Sequence, residues 1–263
     1  MAQHCGKLAN VVNVTEISQS AACQVTFNFH VGDTGGTHVN RLFTSDHTWA
    51  AATLYGAHGA AGCWLPGAAG FTRGFQQPRQ TRKLYAEVHC SLPMETVVHA
   101  VLPEVRTLFP SCSLEAFTVV RDPVDHLCSM CLRNHSDFRD LTSRARTVRQ
   151  HHLEIFTHGI QACKRIPQLG AITERDVDKV FALLHSAKLT AVPLASLDGF
   201  LLDHFGFAPP VQDSTLSNKH TAPPGRAQTC RAALAGYDLN TTLHAELLLH
   251  GRLFPGQEVH KTC

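Results

Sequence analysis

The sequence predicts a single α/β domain in which a central parallel sheet is flanked by helices. Three observations lead to this prediction. The 263 residues fit one large domain with a buried core. Segments rich in β-branched and aromatic residues alternate with segments of helical pattern, which is the order that parallel sheets require. No linker or internal repeat divides the chain, so residues 1–263 are expected to form one unit.

The first third of the chain predicts one strand and two helices. A buried strand is expected at residues 24–31, QVTFNFHV, because β-branched and aromatic residues run up to a glycine. Helices are expected from Thr37 and again from about Asp46 through HTWAAATLY. The glycine-rich stretch that follows predicts a mobile surface loop over about residues 56–82.

The middle of the chain predicts two more strands, at residues 83–90 and 114–120. Between them, residues 93–109 are expected to be helical with an interruption at Pro103. Pro123 suits the first turn of the next helix, because the N–H that proline lacks would have no partner there.

The second half is predicted to be more helical. Thr173 and Asp176 have the spacing of a capping box, and an apolar face follows them at Val177, Val180, Phe181 and Leu184. The other elements expected are helices at 141–156, 196–207 and 239–254 and a late strand at 188–195.

Composition limits the classes of partner. Lys and Arg number 23 against 21 Asp and Glu, a net charge of +2, which argues against binding nucleic acid through bulk charge. The amino terminus lacks the apolar stretch of a signal peptide, and no window is apolar enough to span a membrane. A cytoplasmic protein with no membrane partner is expected.

The ten cysteines are scattered, several within apolar segments, and are interpreted as free thiols in a reducing compartment. The even number also permits disulfides, and three glycosylation sequons, beginning at Asn13, Asn134 and Asn240, fit the alternative of a secreted protein. Cys128 and Cys131 form a CxxC pair within a predicted helix, for which buried thiols are favoured over a metal or redox site.

A glycine turn follows the first strand, at Gly35-Gly36-Thr37. A strand that enters such a turn at a helix N-terminus presents backbone N–H groups to an anion, and the helix dipole adds a partial positive charge. No lysine follows the second glycine, so the turn differs from the Walker pattern of nucleotide triphosphatases. The fold expected is still a P-loop-type sheet with an anion site at this turn, but without the Walker lysine.

A second segment, RDPVDHLCS, places Arg121 after a strand and Ser129 eight positions later, about two helical turns on. Both residues are expected at the crevice beyond the carboxyl ends of the strands, where open parallel sheets bind ligands. The arginine fork of donors matches a phosphate group, and a serine hydroxyl can complete its coordination.

Together the two segments resemble the sulfotransferases that use 3′-phosphoadenosine-5′-phosphosulfate (PAPS), in particular the carbohydrate and bacterial branch. That branch shows PKTGGT after its first strand and RDPVxxxxS after a later one, where this chain has GDTGGT and RDPVDHLCS. The resemblance implies that PAPS is the co-substrate, that no metal is needed, and that the acceptor is a small molecule or glycan.

The resemblance also implies a set of nucleotide-binding residues. The 5′-phosphosulfate side is assigned to the turn, the 3′-phosphate side to the second segment, and the closing loop to a polar stretch before the last helix. In that order the residues are Gly32, Asp33, Thr34, Gly35, Gly36, Thr37, His38, Arg121, Ser129, Asn218 and Lys219.

One position departs from the family pattern. Asp33 stands where the family has a lysine that stabilises charge on the bridging oxygen, and a carboxylate repels phosphate oxygens. Either another cation substitutes or turnover is lost. The candidate cations are Arg41, Arg73, Arg79, Arg82 and Lys83.

The acceptor side is expected at the end of the strand AEVHC. Sulfuryl transfer needs a base for the acceptor's proton, and His89 is the first candidate, with Glu87 as the alternative base or as its orienting partner. When protonated, His38 is expected to donate to the sulfuryl oxygens, whereas His30 is expected to pack under the sheet. The arginine-rich residues 138–152 are interpreted as a solvated helix face, with contact to an anionic acceptor as the alternative.

The function predicted is therefore transfer of a sulfuryl group from PAPS to a hydroxyl or amine of a small molecule or glycan. Two alternatives stay open. One is a nucleotide-binding relative without turnover, which Asp33 suggests, and the other is a P-loop enzyme that transfers phosphoryl groups.

Overall fold

A computed structural model gives the fold of most of the chain. It describes residues 23–32, 34–55, 83–89, 92–133, 151–159, 172–208 and 238–259, together with residues 228, 230, 232, 234 and 235. Asp33, the predicted loop at 56–82, most of the arginine-rich segment and the polar stretch with Asn218 and Lys219 lie outside these residues.

Five strands form one parallel sheet in the order β2-β3-β1-β4-β5. They are β1 (Gln24–His30), β2 (Trp49–Tyr55), β3 (Lys83–His89), β4 (Ser113–Val120) and β5 (Leu189–Pro193). The chain moves from β1 to one side of the sheet and, after β3, crosses to β4 on the other side. The carboxyl ends of β1 and β4 therefore flank the point where the strand order reverses, the usual ligand crevice of such sheets.

Helices cover both faces of the sheet. They are α1 (Gly36–Ser45), α2 (Met94–Thr96), α3 (Leu102–Leu108), α4 (Pro123–Arg133), α5 (His151–His158), α6 (Glu174–Ala187), α7 (Leu197–Phe205), α8 (Leu239–Thr242) and α9 (His244–Leu253). A π-helical turn, Val97–Val101, joins α2 to α3, and a 3₁₀ turn, Leu194–Ser196, precedes α7. The α/β architecture expected from the sequence is confirmed.

The apolar core lies on both faces of the sheet, and β1 contributes apolar side chains to one of them. Val25, Phe27 and Phe29 pack with helices α2, α3, α5, α6 and α9. On the other face, Phe43 of α1 stacks on Tyr85 of β3 with ring centroids 4.0 Å apart. Because helices cover both faces, the alternate residues Thr26, Asn28 and His30 of β1 are buried as well, although they are polar.

The prediction of a helix from Asp46 through residue 55 is wrong, because residues Trp49–Tyr55 form the edge strand β2. The run AAATLY after Trp49 contains helix-forming alanines, but the strand pairs with β3 in register, from Trp49 opposite Lys83 to Tyr55 opposite His89. Helix α1 ends at Ser45, and Asp46 accepts the Thr48 N–H at 2.8 Å in the turn that follows. Pairing with a neighbouring strand outweighs the preference of alanine for a helix, because such intrinsic preferences are small compared with tertiary contacts.

Two local predictions in the helices are confirmed. The helix before β4 is disturbed at Pro103 as expected, and the disturbance takes the form of the π-helical turn that ends two residues earlier. Proline lacks the N–H of a regular turn and its ring crowds the preceding carbonyl groups, so the turn widens. The capping box also forms, since the Thr173 N–H donates to Asp176 Oδ2 at 2.8 Å.

The interpretation of the cysteines as free thiols is wrong for the cysteines that the structure describes. A disulfide joins Cys23, next to β1, to Cys112, next to β4. A second joins Cys131 of α4 to Cys230, and Cys128 is also disulfide-bonded. These bonds link segments 89 and 99 residues apart, so sequence spacing alone gave no sign of the pairing.

Candidate functional site

The ends of β1 and β4 meet at one edge of the sheet. The two strands pair in parallel up to Asn28 opposite Phe117, and beyond that the Thr118 hydroxyl donates to the Phe29 carbonyl oxygen at 2.7 Å. The glycine turn follows β1 and Arg121 follows β4, so the structure brings the two predicted halves of the site to the same edge.

The glycine turn has the geometry of a helix start. Gly35 is the N-cap of α1 with φ of +83°, in the left-handed region that favours glycine. Its carbonyl oxygen accepts the N–H groups of His38 at 2.9 Å and Val39 at 3.1 Å. The earlier N–H groups of the first turn, on Gly36 and Thr37, have no carbonyl partner inside the helix, and they are the donors that a bound anion would use.

Packing beneath the turn explains the second glycine. A Cβ atom added to Gly36 would lie 1.7 Å from Cε1 of His30, whose ring therefore occupies the space a side chain would need. The buried Thr34 hydroxyl donates to the Val31 carbonyl oxygen at 2.7 Å, so this side chain braces the turn from inside. The glycines are therefore needed for the fold itself as well as for the binding of a ligand.

Arg121 stands at the junction of β4 and α4, where the side chain is partly buried. Burial lowers the pKa of its guanidinium, and the charges of Asp125 and Asp122 oppose that shift. Asp122 also caps α4, because its Oδ1 accepts the N–H groups of Val124 at 2.9 Å and Asp125 at 3.0 Å. Arginine remains charged at any working pH, so a partly buried cation follows β4 at the same edge of the sheet as the turn.

Ser129 lies two turns along α4 and is partly exposed. Its neighbour Cys128 and the nearby Cys131 are both disulfide-bonded, so this helix is covalently fixed on either side of the serine. Ser129 therefore lies on the helix that begins just after Arg121, as the sequence spacing predicts.

A buried polar cluster lies below the turn on the α1 side of the sheet. The Glu87 carboxylate, 1% exposed, lies 2.9 Å from His30 Nδ1 and accepts the Tyr85 hydroxyl at 2.9 Å. The Asn40 amide donates to the same carboxylate at 3.3 Å. Burial alone would raise the pKa of Glu87, but the hydrogen bond and charge of His30, with the bonds from Tyr85 and Asn40, outweigh it and leave that pKa lowered.

The predicted catalytic residues occupy different surroundings. Glu87 contacts His30, a residue expected only to pack under the sheet; His30 is indeed buried, and it also has this specific partner. The backbone of His89 pairs in register with His30 and Tyr55, at the carboxyl edge of the sheet. His38 Nε2 lies 3.1 Å from Asp198 Oδ1 at the start of α7, an exposed contact beside the turn.

The candidate cations can be placed in part. Lys83 begins β3, at the opposite edge of the sheet, and its Nζ lies 5.2 Å from the centroid of the Trp49 ring. It is therefore wrong as a substitute for the family's lysine. Arg41 is exposed on α1, and Arg73, Arg79 and Arg82 lie outside the described residues.

A second buried cluster contacts the turn from the other face of the sheet. His126 Nε2 lies 3.0 Å from the Gly32 carbonyl oxygen, and His126 Nδ1 lies 3.3 Å from His152 Nδ1. His152 Nε2 accepts the Arg121 backbone N–H at 3.2 Å, and its Nδ1 lies 3.2 Å from Glu246 Oε2. Sequence reasoning missed these residues, since they come from α4, α5 and α9 and share no motif.

No family model matches the chain, and no curated protein matches it in sequence. Within the described residues, no helix has the length and apolar character needed to cross a membrane, and no group of three or more His, Cys, Asp or Glu side chains is arranged to hold a metal ion. Among solved structures, the chain is similar to the crystal structure of a sulfotransferase from Alicyclobacillus acidocaldarius, at 11% sequence identity and a TM-score of 0.41, over 83% of this chain and 95% of that chain.

Proposed function

We propose that the chain is a sulfotransferase that moves a sulfuryl group from PAPS to a hydroxyl or amine of a small molecule or glycan. The observation that carries the proposal is the meeting of two motifs at one sheet edge. The turn after β1 and Arg121 after β4 come from segments about 90 residues apart, yet both contact the His126 and His152 pair.

The two ends of the nucleotide have separate sites in this proposal. The first-turn N–H groups of α1 bind the 5′-phosphosulfate, where the helix dipole favours negative charge. Arg121 and Ser129 bind the 3′-phosphate, the arginine through charge-assisted hydrogen bonds. The polar stretch with Asn218 and Lys219 closes over the nucleotide, as the family resemblance implies.

Transfer then needs one proton acceptor. The acceptor's oxygen or nitrogen attacks sulfur in line, the bond from sulfur to the bridging phosphate oxygen breaks, and 3′,5′-adenosine bisphosphate leaves. His89 takes the proton, with Glu87 as the alternative base. The lowered pKa keeps Glu87 ionised and makes it a weaker base, which suits a partner that orients the base better than the base itself.

Asp33 supports a second candidate function, a nucleotide-binding protein without turnover. The family's lysine stabilises the leaving oxygen, and a carboxylate at that position cannot. His38, in the first turn of α1, is a described titratable group that could donate there, although Asp198 shares its Nε2. The same residues would then bind the bisphosphate and release it unchanged.

The disulfides bear on the compartment in which the protein works. Disulfides such as Cys23–Cys112 and Cys131–Cys230 persist in oxidising environments and are rare in the cytoplasm. They favour an oxidising compartment over the cytoplasm expected from the sequence. A glycan acceptor fits such a compartment as well as a small molecule does.

Two experiments test the proposal. Calorimetric titration with 3′,5′-adenosine bisphosphate and, separately, with ATP decides the nucleotide class: we expect tight binding of the bisphosphate, and binding of ATP alone would favour phosphoryl transfer. Incubation with ³⁵S-labelled PAPS and a panel of hydroxyl and amine acceptors decides turnover. Binding of the bisphosphate without any transfer would favour the second candidate.

A further inference from the structure

A chain of buried side chains connects the glycine turn to the last helix. It runs from the Gly32 carbonyl oxygen through His126 and His152 to the Glu246 carboxylate, and the three side-chain residues are 1% to 3% exposed. Glu246 also accepts the Leu153 backbone N–H at 2.7 Å, so both of its oxygens are engaged.

The contacts allow one arrangement of protons. The Arg121 backbone N–H donates to His152 Nε2, so that nitrogen carries no proton and His152 must be the Nδ1–H tautomer. The Gly32 carbonyl can only accept, so His126 carries its proton on Nε2 and leaves Nδ1 bare. His152 Nδ1–H then points at the bare His126 Nδ1 and the Glu246 carboxylate.

Both histidines are therefore neutral in this arrangement. A proton added to His152 would set two N–H groups against each other at Arg121, and a proton added to His126 would do the same at His152. Within the part of the chain that the structure describes, the charged or titratable groups nearby include Glu246 and His250 of α9, Asp125 of α4, and Arg121 and Asp122 before α4.

We propose that His152 is a positioning residue of the anion site, and that Glu246 fixes its tautomer so that it holds the Arg121 backbone and, through His126, the Gly32 carbonyl. This rests on the proposed function in so far as the site binds the bisphosphate. The three side chains His126, His152 and Glu246 set the spacing of the two phosphate sites, because they contact the backbone of each site and do not themselves bind the ligand.

A pair of substitutions separates positioning from mere packing. His152→Gln can place an amide oxygen where Nε2 lies and accept the Arg121 N–H, whereas His152→Asn keeps a donor toward Glu246 but has no acceptor within reach of Arg121. We expect His152→Asn, which loses the contact with Arg121, to weaken bisphosphate binding about tenfold or more, and His152→Gln, which keeps that contact and loses those of Nδ1, to weaken it clearly less. The matched control is His250→Gln. His250 is a buried histidine of α9 that is not one of the three linked side chains, and the affinity for the bisphosphate is expected to be unchanged.

Two further measurements keep the test decisive. Hydrogen exchange at the Arg121 amide is expected to be slow in the wild type and in His152→Gln, and fast in His152→Asn. If His152→Asn does not fold, Glu246→Gln serves instead: glutamine cannot accept from both Leu153 and His152, so the same fast exchange and weaker binding are expected.

Equal effects of the glutamine and asparagine variants, or a protected Arg121 amide in His152→Asn, would overturn the proposal. Failure of the wild type to bind the bisphosphate would instead reject the proposed function. Exchange at Arg121 would still decide the positioning role, because that readout does not need the nucleotide.

Discussion

The Glu87 carboxylate lies 2.9 Å from His30 Nδ1, across two adjacent parallel strands and directly below the glycine turn. A carboxylate only 1% exposed is stable there because His30, Tyr85 and Asn40 all donate to it. The pair therefore links the packing of the sheet to the region where the proposed chemistry takes place.

Glu87→Gln is expected to lower the free energy of unfolding at pH 7 by about 2 kcal/mol, because the amide replaces an acceptor of several hydrogen bonds by a group that is half donor. The folded state lowers the pKa of Glu87 below 4.5, so its contribution is present above pH 4.5 and is lost as pH falls through the folded pKa. Urea unfolding at several pH values should show the gap between wild type and variant closing in acid.

The matched control is Glu95→Gln, whose carboxylate pairs with Lys179 at an exposed site. Exposed pairs contribute less than about 1 kcal/mol. An equal loss in the free energy of unfolding from the two substitutions would show that the buried pair stabilises the fold no more than the exposed pair does.

Gly36→Ala is expected to destabilise the fold by about 2 to 4 kcal/mol, because its Cβ would collide with the His30 ring and displace it from Glu87. Thermal unfolding measures the effect. Gly251→Ala, in helix α9 with nothing within 4 Å of the added Cβ, is the control and should be neutral or stabilising by up to about 1 kcal/mol. Similar melting temperatures for the two variants would contradict the packing.

Arg121→Ala is expected to weaken bisphosphate binding by about 1.5 to 3 kcal/mol, the loss of a charge-assisted hydrogen bond. Calorimetry measures the change, and Arg106→Ala, an exposed arginine of α3, provides the control for a general loss of positive charge. Unchanged affinity in Arg121→Ala would show that the guanidinium faces away from the ligand.

Asp33→Lys is expected to raise nucleotide affinity, or at least preserve it, since a cation replaces a carboxylate next to phosphate oxygens. If turnover in the wild type is limited by the missing lysine, transfer from labelled PAPS should increase as well. Asp203→Lys on α7 carries the same change of charge at an exposed site and controls for long-range attraction. A collapse of affinity would mean that Asp33 has an attractive partner.

Replacing Cys23 and Cys112 by serine is expected to lower stability by about 2 to 4 kcal/mol, because the bond closes a long loop in the unfolded chain. Urea unfolding of the single and double variants measures this, and all three should be affected equally. Thiol titration of the unfolded wild type before and after reduction gives an independent count. Full reactivity without reductant would refute the disulfides.

Local patterns in the sequence were enough for much of the scaffold. Strands β1 and β4, the proline at the start of α4 and the capping box of α6 all follow from residue types a few positions apart. The positions of the turn and of Arg121 followed as well, because the carboxyl ends of parallel strands necessarily share one edge.

Long-range contacts decided the rest. Strand β2 exists because β3 offers it a partner in register, against the helical preference of its alanines. Glu87 and His30 lie 57 residues apart in sequence, and the cysteines of one disulfide lie 99 residues apart. The contacts among His126, His152 and Glu246 join three different helices. Sequence by itself determined most of the elements, β2 excepted, and the edge where they end, because those depend on near neighbours. Only the tertiary structure decided which buried polar groups satisfy each other, since that depends on which elements pack together.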